Sequence, residues 1–400
     1  MRIVVIGGGQ AGSSAVARLR ALGHSGPLTL IGAEPVPPYQ RPPLSKAYLT
    51  GEMEEGRLFL RPASFYADQG IDLRTHARVT RIDRALGEVL LGQERLGYDA
   101  LILATGASPR RLPPAIGGDL AGVHVLRDLA DVQAMRGDFV PGARALVVGG
   151  GYIGLEAAAV ARKMGVEVTL IEMAPRILQR VAAPETSDYF RALHTGHGVT
   201  ILEGIGLTRL TGVGKVSGAV LSDGRTLGCD FVIVGVGVAP DVALATDAGL
   251  VVDNGIATDT LGRTSDPKIW AAGDCASFAW RGGRMRLESV QNAIDMAEAV
   301  AANVLGAGAD YDPKPWFWSD QYDVKLQIAG LNTGYSEVVA RRVGVGTSFW
   351  YYADGRLLAV DAMNDPRAYM VGKRLIELGK TADPAAIADP GTDLKALLRA

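Results

Sequence analysis

The stretch Arg2-Ile-Val-Val-Ile-Gly-Gly-Gly-Gln-Ala-Gly12 decides the fold. Its continuous apolar run predicts a strand of a parallel sheet that is buried on both faces. Small and apolar residues follow at helical spacing from Ser13 to Leu22, and a second short apolar run, Leu28–Ile31, ends near Glu34. The order of strand, glycine turn, helix and strand is typical of a unit that binds a dinucleotide.

The same unit occurs a second time in the chain. Ala145-Leu-Val-Val148 precedes Gly149-Gly-Gly-Tyr-Ile-Gly154, a helix is predicted from Leu155 to Met164, and the strand Val168–Ile171 ends at Glu172. An internal repeat of this kind indicates two similar structural units. The sequence therefore predicts an α/β protein with two Rossmann-like dinucleotide-binding domains.

Each glycine of the two fingerprints has its own physical task. The first forms the tight turn, the second lets a pyrophosphate approach the backbone, and the third lets the helix pack closely on the strand. The phosphates then lie at the positive N-terminus of the helix. An acidic residue that binds the adenosine ribose follows the first glycine by 27 residues in one copy and by 23 in the other. The predicted binding residues are Gly7, Gly9, Gly12 and Glu34, and then Gly149, Gly151, Gly154 and Glu172.

Glu172 also indicates which nicotinamide dinucleotide the second site takes. A carboxylate at this position repels the additional phosphate of NADP, whereas an arginine attracts it. Arg176 lies nearby in the sequence, which leaves some use of NADPH open. The sequence favours NADH.

The C-terminal part of the chain has a different pattern. Residues 347–352 alternate in the manner of an antiparallel strand. Aromatic residues also concentrate after Tyr311, namely Trp316, Phe317, Trp318 and Tyr322. These features predict a third domain of α+β type.

Composition and charge bound the function. The 400 residues are 48% hydrophobic and 21% charged, which is typical of a folded globular protein. A net charge of -2 argues against a nucleic-acid binder, which normally has a basic surplus. The first strand begins at Arg2 without a targeting segment, and no apolar stretch reaches the roughly 18 residues of a membrane span. We predict a cytoplasmic protein.

Several further motifs resemble those of one family. They are Pro38-Tyr-Gln-Arg-Pro-Pro-Leu-Ser-Lys46, Ala104-Thr-Gly106, Gly149-Gly-Gly-Tyr-Ile-Gly-Leu-Glu156, Ala272-Gly-Asp274, Glu288-Ser-Val-Gln-Asn292 and Pro315-Trp-Phe-Trp-Ser-Asp-Gln-Tyr322. Together they resemble the bacterial FAD- and NADH-dependent ferredoxin reductases, which serve haem-thiolate monooxygenases and aromatic-ring dioxygenases. The resemblance covers essentially the whole chain, in order.

The resemblance implies a glutathione-reductase-like architecture. Residues 1–110 and 234–310 would form the FAD-binding domain, residues 111–233 the NADH-binding domain, and residues 311–400 the C-terminal α+β domain. No bound metal is implied. The oligomeric state that we expect is a monomer or a weak dimer.

The resemblance also implies roles for individual residues. Lys46 would lie near the reactive flavin nitrogen, Trp318 against the flavin and Glu156 close to the nicotinamide, which makes these three the candidate catalytic residues. Further contacts to FAD are expected from Gly7, Gly9, Gly12, Glu34, Arg41, Val79, Ala104, Thr105, Gly106, Asp274 and Val290, with Arg41 beside the flavin. Contacts to NAD are expected from Gly149, Gly151, Ile153, Gly154, Glu156, Glu172 and Gly237. An ion pair between Lys46 and Glu156 when no nicotinamide is bound is a further hypothesis.

The cysteines indicate how the electrons leave. Glutathione, lipoamide and thioredoxin reductases use a closely spaced cysteine pair, but Cys229 and Cys275 are the only cysteines and lie far apart. The remaining outlet is one-electron transfer to an acidic [2Fe–2S] ferredoxin, for which a basic docking surface is expected. Candidates for that surface are Arg281, Arg284, Arg286, Lys314, Arg341 and Arg342.

Two other functions remain open at this point. One is an NADH oxidase or peroxidase that acts on oxygen species. The other is a flavin-based redox-signalling protein, because apoptosis-inducing factors share much of this architecture.

Overall fold

The computed structural model describes residues 1–399, which divide into two compact units. The first unit comprises Met1–Arg41, Glu54–Ser108 and Val238–Pro315. The second comprises Pro42–Met53, Pro109–Gly237 and Trp316–Ala400. The boundaries of the three predicted domains stay a prediction.

The elements follow one another in chain order. Up to residue 109 they are β1 (Ile3–Ile6), α1 (Gln10–Ala21), β2 (Leu28–Ile31), α2 (Ala63–Asp68), β3 (Asp72–Arg74), β4 (Arg81–Asp83), β5 (Glu88–Leu91), β6 (Glu94–Gly97), β7 (Ala100–Leu103) and β8 (Ala107–Pro109). Up to residue 234 they are β9 (Val123–His124), α3 (Leu129–Met135), β10 (Arg144–Val148), α4 (Tyr152–Lys163), β11 (Glu167–Glu172), α5 (Pro184–Gly196), β12 (Thr200–Glu203), β13 (Leu207–Val213), β14 (Lys215–Leu221), β15 (Thr226–Gly228) and β16 (Phe231–Val234).

The remaining elements complete both units. Up to residue 304 they are β17 (Val238–Pro240), α6 (Ala243–Asp247), β18 (Ile256–Thr258), β19 (Ile269–Ala271), β20 (Ala276–Trp280), β21 (Gly283–Met285) and α7 (Val290–Val304). The C-terminal part contains β22 (Trp316–Gln321), β23 (Val324–Gly330), β24 (Glu337–Val343), β25 (Gly346–Ala353), β26 (Arg356–Met363), α8 (Pro366–Glu377) and α9 (Pro384–Ala388).

A parallel sheet forms the centre of the first unit. Its strand order is β19-β7-β1-β2-β3, and every neighbouring pair is parallel. Ile3, Val4 and Val5 are fully buried, as expected for a central strand that is covered on both faces. The first predicted dinucleotide-binding unit is confirmed.

The second unit contains a parallel sheet of the same kind and an antiparallel sheet. The parallel sheet has the order β12-β11-β10-β16-β9. The antiparallel sheet has the order β22-β23-β26-β25-β24, and α8 packs on it where Gly372, which has no side chain, meets Val360. The predicted fold class is confirmed, including the α+β character of the C-terminal region.

Both fingerprint helices begin earlier than predicted. The first begins at Gln10 instead of Ser13, and the second begins at Tyr152 instead of Leu155. The reason is that the third glycine lies within the first turn of the helix, where its missing side chain allows close packing on the strand.

A buried polar cluster lies in the second unit, around the carboxyl group of Asp361. One oxygen of this carboxyl accepts hydrogen bonds from Thr186 and Tyr351. The other oxygen and the hydroxyl of Tyr152 are buried and have no hydrogen-bond partner in the described part of the chain. Burial raises the pKa of Asp361 to about 6, because the charged form is the one that loses most by desolvation.

Replacing Asp361 by asparagine is expected to stabilise the protein at pH 7 and to have little effect at pH 4. The folded-state pKa lies above the unfolded value of 3.8, so ionisation of Asp361 costs stability as the pH rises from about 4 to 6. The cost that the amide removes is up to about 3 kcal/mol. Thermal unfolding at both pH values measures this change in stability, with Asp354→Asn at an exposed turn as the control. An equal shift of the thermal midpoint at both pH values would contradict the raised pKa of Asp361.

Candidate active site

The first glycine fingerprint has the geometry that a bound dinucleotide requires. A side chain on Gly7 would lie 2.0 Å from the carbonyl oxygen of Ala104, and one on Gly12 would lie 1.9 Å from that of Gly7. Gly9, by contrast, faces open space at the N-terminus of α1. Within residues 1–399 no side chain caps this terminus, and its first turn has no acidic residue, so its N–H groups are available to a phosphate.

The second fingerprint repeats this arrangement. A side chain on Gly149 would lie 2.5 Å from the carbonyl oxygen of Gly235, and one on Gly154 would lie 2.1 Å from that of Gly149. Gly151 faces open space at the N-terminus of α4, which is also uncapped. The residues of both fingerprints therefore fit a dinucleotide.

The first ribose-binding carboxylate is held by its neighbours. Arg41 and the hydroxyl of Tyr39 each donate a hydrogen bond of 2.5 Å to Glu34. Glu34 and Arg41 are both partly exposed. The structure thus pairs Arg41, which was expected beside the flavin, with the carboxylate predicted to bind the adenosine ribose.

The second carboxylate is fixed by the backbone. Glu172 accepts hydrogen bonds of 2.7 Å from the N–H groups of Gly150 and Ala174, one on each oxygen. The guanidinium of Arg176 donates instead to the hydroxyl of Ser187 and the carbonyl of Ala182. The arginine that left NADPH use open is therefore engaged elsewhere, and the negative charge of Glu172 has no arginine partner among residues 1–399.

Apart from Lys46 and Trp318, which belong to the second unit, the other predicted FAD contacts lie in the first unit. Val79 and Ala104 are buried in its core, and the Thr105 hydroxyl donates a 2.6 Å hydrogen bond to the carbonyl of Asp241. Asp274 lies in the short 3-10 helix Gly273–Cys275. The three remaining contacts are Gly106 with a positive φ of 75°, Val290 as the first residue of α7, and Arg41.

Glu156 is the centre of a compact polar cluster in the second unit. It is only 6% exposed although it lies on α4, and it accepts three hydrogen bonds. Lys46 Nζ at 2.7 Å and Ser45 Oγ at 2.8 Å contact one carboxylate oxygen, and Ser319 Oγ at 2.7 Å contacts the other. The hypothesis of a Lys46–Glu156 ion pair is confirmed.

Two members of this cluster were missed by the sequence analysis. Ser45 lies in the 3-10 helix Pro42–Ser45, and Ser319 lies on β22. Each is a neighbour of a predicted catalytic residue within a quoted motif, Lys46 in one case and Trp318 in the other. That adjacency was the available signal, but a serine hydroxyl has no pattern that points to a carboxylate more than 100 residues away in the chain.

Trp318 lies on the edge strand β22 and is half-buried. Its ring centroid is 5.7 Å from that of Trp316, and Trp316 in turn contacts Tyr369 on α8. The two remaining NAD candidates are Ile153, which is 45% exposed, and Gly237, which has a positive φ of 94°.

The proposed basic docking surface is wrong in part. Arg341 is only 4% exposed and donates to four backbone carbonyls between residues 387 and 392, so it anchors the C-terminal segment. Arg284 donates to the carbonyls of Thr258 and Ser277, and Arg286 pairs with Glu288. Among the candidates, Arg281, Arg284, Lys314 and Arg342 are exposed.

Both cysteines are buried thiols. Burial raises the pKa of Cys229 to about 11 and also raises the pKa of Cys275, so both resist forming the thiolate that disulfide exchange requires. Among residues 1–399, no helix combines the length and the apolar composition needed to cross a bilayer. The cytoplasmic location stays a prediction.

Comparisons with known proteins extend over the whole chain. Residues 1–297 match the family described as pyridine nucleotide-disulphide oxidoreductase, and residues 316–398 match the family described as Reductase C-terminal. Rhodocoxin reductase of Rhodococcus erythropolis is 43% identical over 99% of this chain and 94% of its own length. Putidaredoxin reductase of Pseudomonas putida is 40% identical over 100% and 97%.

Solved structures agree with these matches. The crystal structure of a covalent putidaredoxin reductase–putidaredoxin complex has a TM-score of 0.96 at 39% identity, covering 100% of this chain and 98% of the other. A ferredoxin reductase from Rhodopseudomonas palustris has a TM-score of 0.95 at 42% identity, covering 99% of each chain. The predicted resemblance and the prediction of an oxidoreductase that uses FAD and NAD(H) are confirmed. The chain belongs to the pyridine nucleotide-disulphide oxidoreductase family, and its residues 316–398 match the Reductase C-terminal family.

Proposed function

We propose that this chain is an NADH-dependent ferredoxin reductase that passes electrons singly to a [2Fe–2S] ferredoxin. One observation carries the proposal: two dinucleotide sites occur in a chain whose two cysteines are separate, buried thiols. A cysteine relay therefore has no chemical basis here, and a one-electron carrier remains as the acceptor. The ferredoxin would serve a haem-thiolate monooxygenase or a ring-hydroxylating dioxygenase, the two kinds of system that the resembled family serves.

The chain's own residues bind and orient the two cofactors. When bound, FAD would supply the redox chemistry, namely uptake of a hydride from NADH and release of electrons one at a time. The N-terminus of α1 and Glu34 would hold the ADP half of FAD, and the N-terminus of α4 and Glu172 would hold that of NADH. Lys46 supplies a positive charge for the reduced flavin, an electrostatic role that needs a fixed side chain.

Glu156 provides that fixation. Its carboxylate is buried, and it holds the Lys46 ammonium at 2.7 Å. A lysine that is tethered in this way loses less rotamer freedom when the cofactors bind than a free lysine would. Ser45 and Ser319 each donate a further hydrogen bond to the carboxylate of Glu156. These bonds compensate for the loss of water around the buried charge.

The test is NADH oxidation by the purified yellow protein with and without a panel of [2Fe–2S] ferredoxins. We expect rapid flavin reduction, slow turnover with oxygen alone and a large stimulation by at least one ferredoxin. Fast NADH consumption with oxygen alone would identify an oxidase instead. Slow hydride transfer with a long-lived charge-transfer band would identify a redox-signalling protein.

Replacing Glu172 by arginine is expected to lower the preference for NADH over NADPH by at least about tenfold. The carboxylate that repels the additional phosphate of NADPH is replaced by a guanidinium that can donate charge-assisted hydrogen bonds to it. The ratio of the two kcat/KM values measures this preference. Glu167→Arg, at the exposed opposite end of β11, is the matched control and should leave the ratio unchanged. An unchanged ratio in Glu172→Arg would place the ribose of NADH elsewhere.

A further inference from the structure

A line of buried polar side chains extends from Glu156 into the second unit. Ser319 Oγ contacts Glu156 at 2.7 Å, and Gln321 Nε2 contacts Ser319 Oγ at 3.1 Å. His194 Nε2 contacts Gln321 Oε1 at 2.7 Å, and the hydroxyl of Tyr322 lies 3.4 Å from His194 Nδ1. Ser319, Gln321 and His194 are fully buried, so the hydrogen bonds among these three side chains are shielded from solvent.

The charge at one end fixes the direction of every hydrogen bond in the line. An ionised carboxylate only accepts, so Ser319 donates its proton to Glu156. Ser319 has no second proton, so Gln321 must present its NH₂ group to Ser319 and its carbonyl oxygen to His194. His194 must therefore carry its proton on Nε2, and Nδ1 is left as the acceptor for Tyr322.

The reverse order of donors does not fit the geometry. If Gln321 were turned around, Ser319 would donate to Gln321 instead of Glu156. Two oxygen atoms, Ser319 Oγ and a carboxylate oxygen, would then face each other at 2.7 Å without a proton between them. His194 also remains neutral, because burial lowers its pKa to about 4.

We propose that Gln321 and His194 are positioning residues for the reaction: they act through Ser319 to hold Glu156 as an oriented acceptor for Lys46. The inference rests on the proposed function, in which Lys46 must be fixed. The line connects Lys46 and Ser45 on one side of Glu156 to Tyr322 on the other. Tyr322 is itself held by stacking on His197, with ring centroids 3.7 Å apart. Hydrogen bonds that point one way in a buried site reinforce one another.

The first test reads the tautomer and needs no activity. The full-length FAD-loaded protein, labelled with ¹⁵N in its histidines, is examined by NMR at pH 7, and the His194 signals are assigned by their loss in His194→Gln. We expect a neutral ring with the proton on Nε2. In Ser319→Ala the constraint is removed, so the population of the other tautomer should rise. A proton on Nδ1, or a charged ring, in the unsubstituted protein would overturn the proposal.

The second test is a double-mutant cycle on flavin reduction by NADH in stopped flow. Gln321→Glu keeps the shape but turns the donor into an acceptor that competes with Glu156 for the Ser319 proton. We expect a rate roughly tenfold lower, which corresponds to about 1.4 kcal/mol. Because Gln321 acts through Ser319, adding Gln321→Glu to Ser319→Ala should have no further effect. If the double variant were slowed by the product of the two single reductions in rate, the proposal would be overturned. An unchanged rate in Gln321→Glu would also overturn it.

Two controls keep the tests distinct. Ser348→Ala removes another fully buried serine hydroxyl from the same sheet, on β25, and should leave the reduction rate unchanged. If Gln321→Glu does not bind FAD, the tautomer of the unsubstituted protein still decides the question. If the unsubstituted protein is not reduced by NADH, the proposed function fails, while the NMR result remains a separate measurement of the hydrogen-bond direction.

Discussion

Replacing Lys46 by alanine is expected to slow flavin reduction by NADH by about 100-fold, the usual loss when one preorganised electrostatic group is removed. Two effects act together. Under the proposed function the reduced flavin would lose its positive neighbour, and Glu156 becomes a buried carboxylate without its counter-ion. Removing one partner of a buried ion pair costs about 3 kcal/mol or more, so the thermal midpoint should fall as well. Stopped-flow bleaching of the visible flavin band at saturating NADH measures the rate.

The chain offers a matched control for this experiment. Lys163 pairs with Glu52 in the same unit, but both side chains are more than half exposed. Exposed pairs contribute at most about 1 kcal/mol, so Lys163→Ala should change neither the reduction rate nor the thermal midpoint appreciably. An unchanged reduction rate in Lys46→Ala would remove Lys46 from the mechanism.

Replacing Gly154 by alanine is expected to weaken NADH binding by about 100-fold, a loss of roughly 2.7 kcal/mol. The added carbon would lie 2.1 Å from the carbonyl oxygen of Gly149. A backbone carbonyl cannot move aside as a flexible side chain can, so α4 must shift away from the glycine turn. The N–H groups at its N-terminus would then no longer point at the phosphates of the dinucleotide. The dissociation constant for NAD⁺ and the thermal midpoint measure the effect.

FAD content is the internal control for Gly154→Ala. The first fingerprint belongs to the other unit, so the purified variant should keep its flavin spectrum. Gly196→Ala is the matched control variant, because it adds the same carbon to a helix of the same unit where no atom lies within 4 Å. It should bind NAD⁺ normally. Normal binding in Gly154→Ala would contradict the predicted role of the third glycine.

Local patterns in the sequence determined the two parallel sheets. A continuous apolar run, glycines at fixed offsets and an acidic residue after the next strand are all short-range features, and each follows from a requirement of the backbone. The predicted helix starts lie three residues later than the observed ones, because the third glycine belongs to the first turn of the helix and not to the preceding loop. The proposed electron acceptor also rests on a sequence feature, the wide separation of Cys229 and Cys275.

Only the tertiary structure decided which side chains meet. Ser45, Lys46 and Ser319 converge on Glu156 from 111, 110 and 163 residues away in the chain, a relation that no spacing encodes. Arg341 was expected on a basic surface, yet its guanidinium is buried against carbonyl groups. Hydrogen-bond partners of a polar residue depend on the packing of distant elements, whereas turns and buried strands depend on their own residues. The sequence by itself thus determined the two nucleotide folds, and tertiary packing decided the polar cluster that holds Lys46.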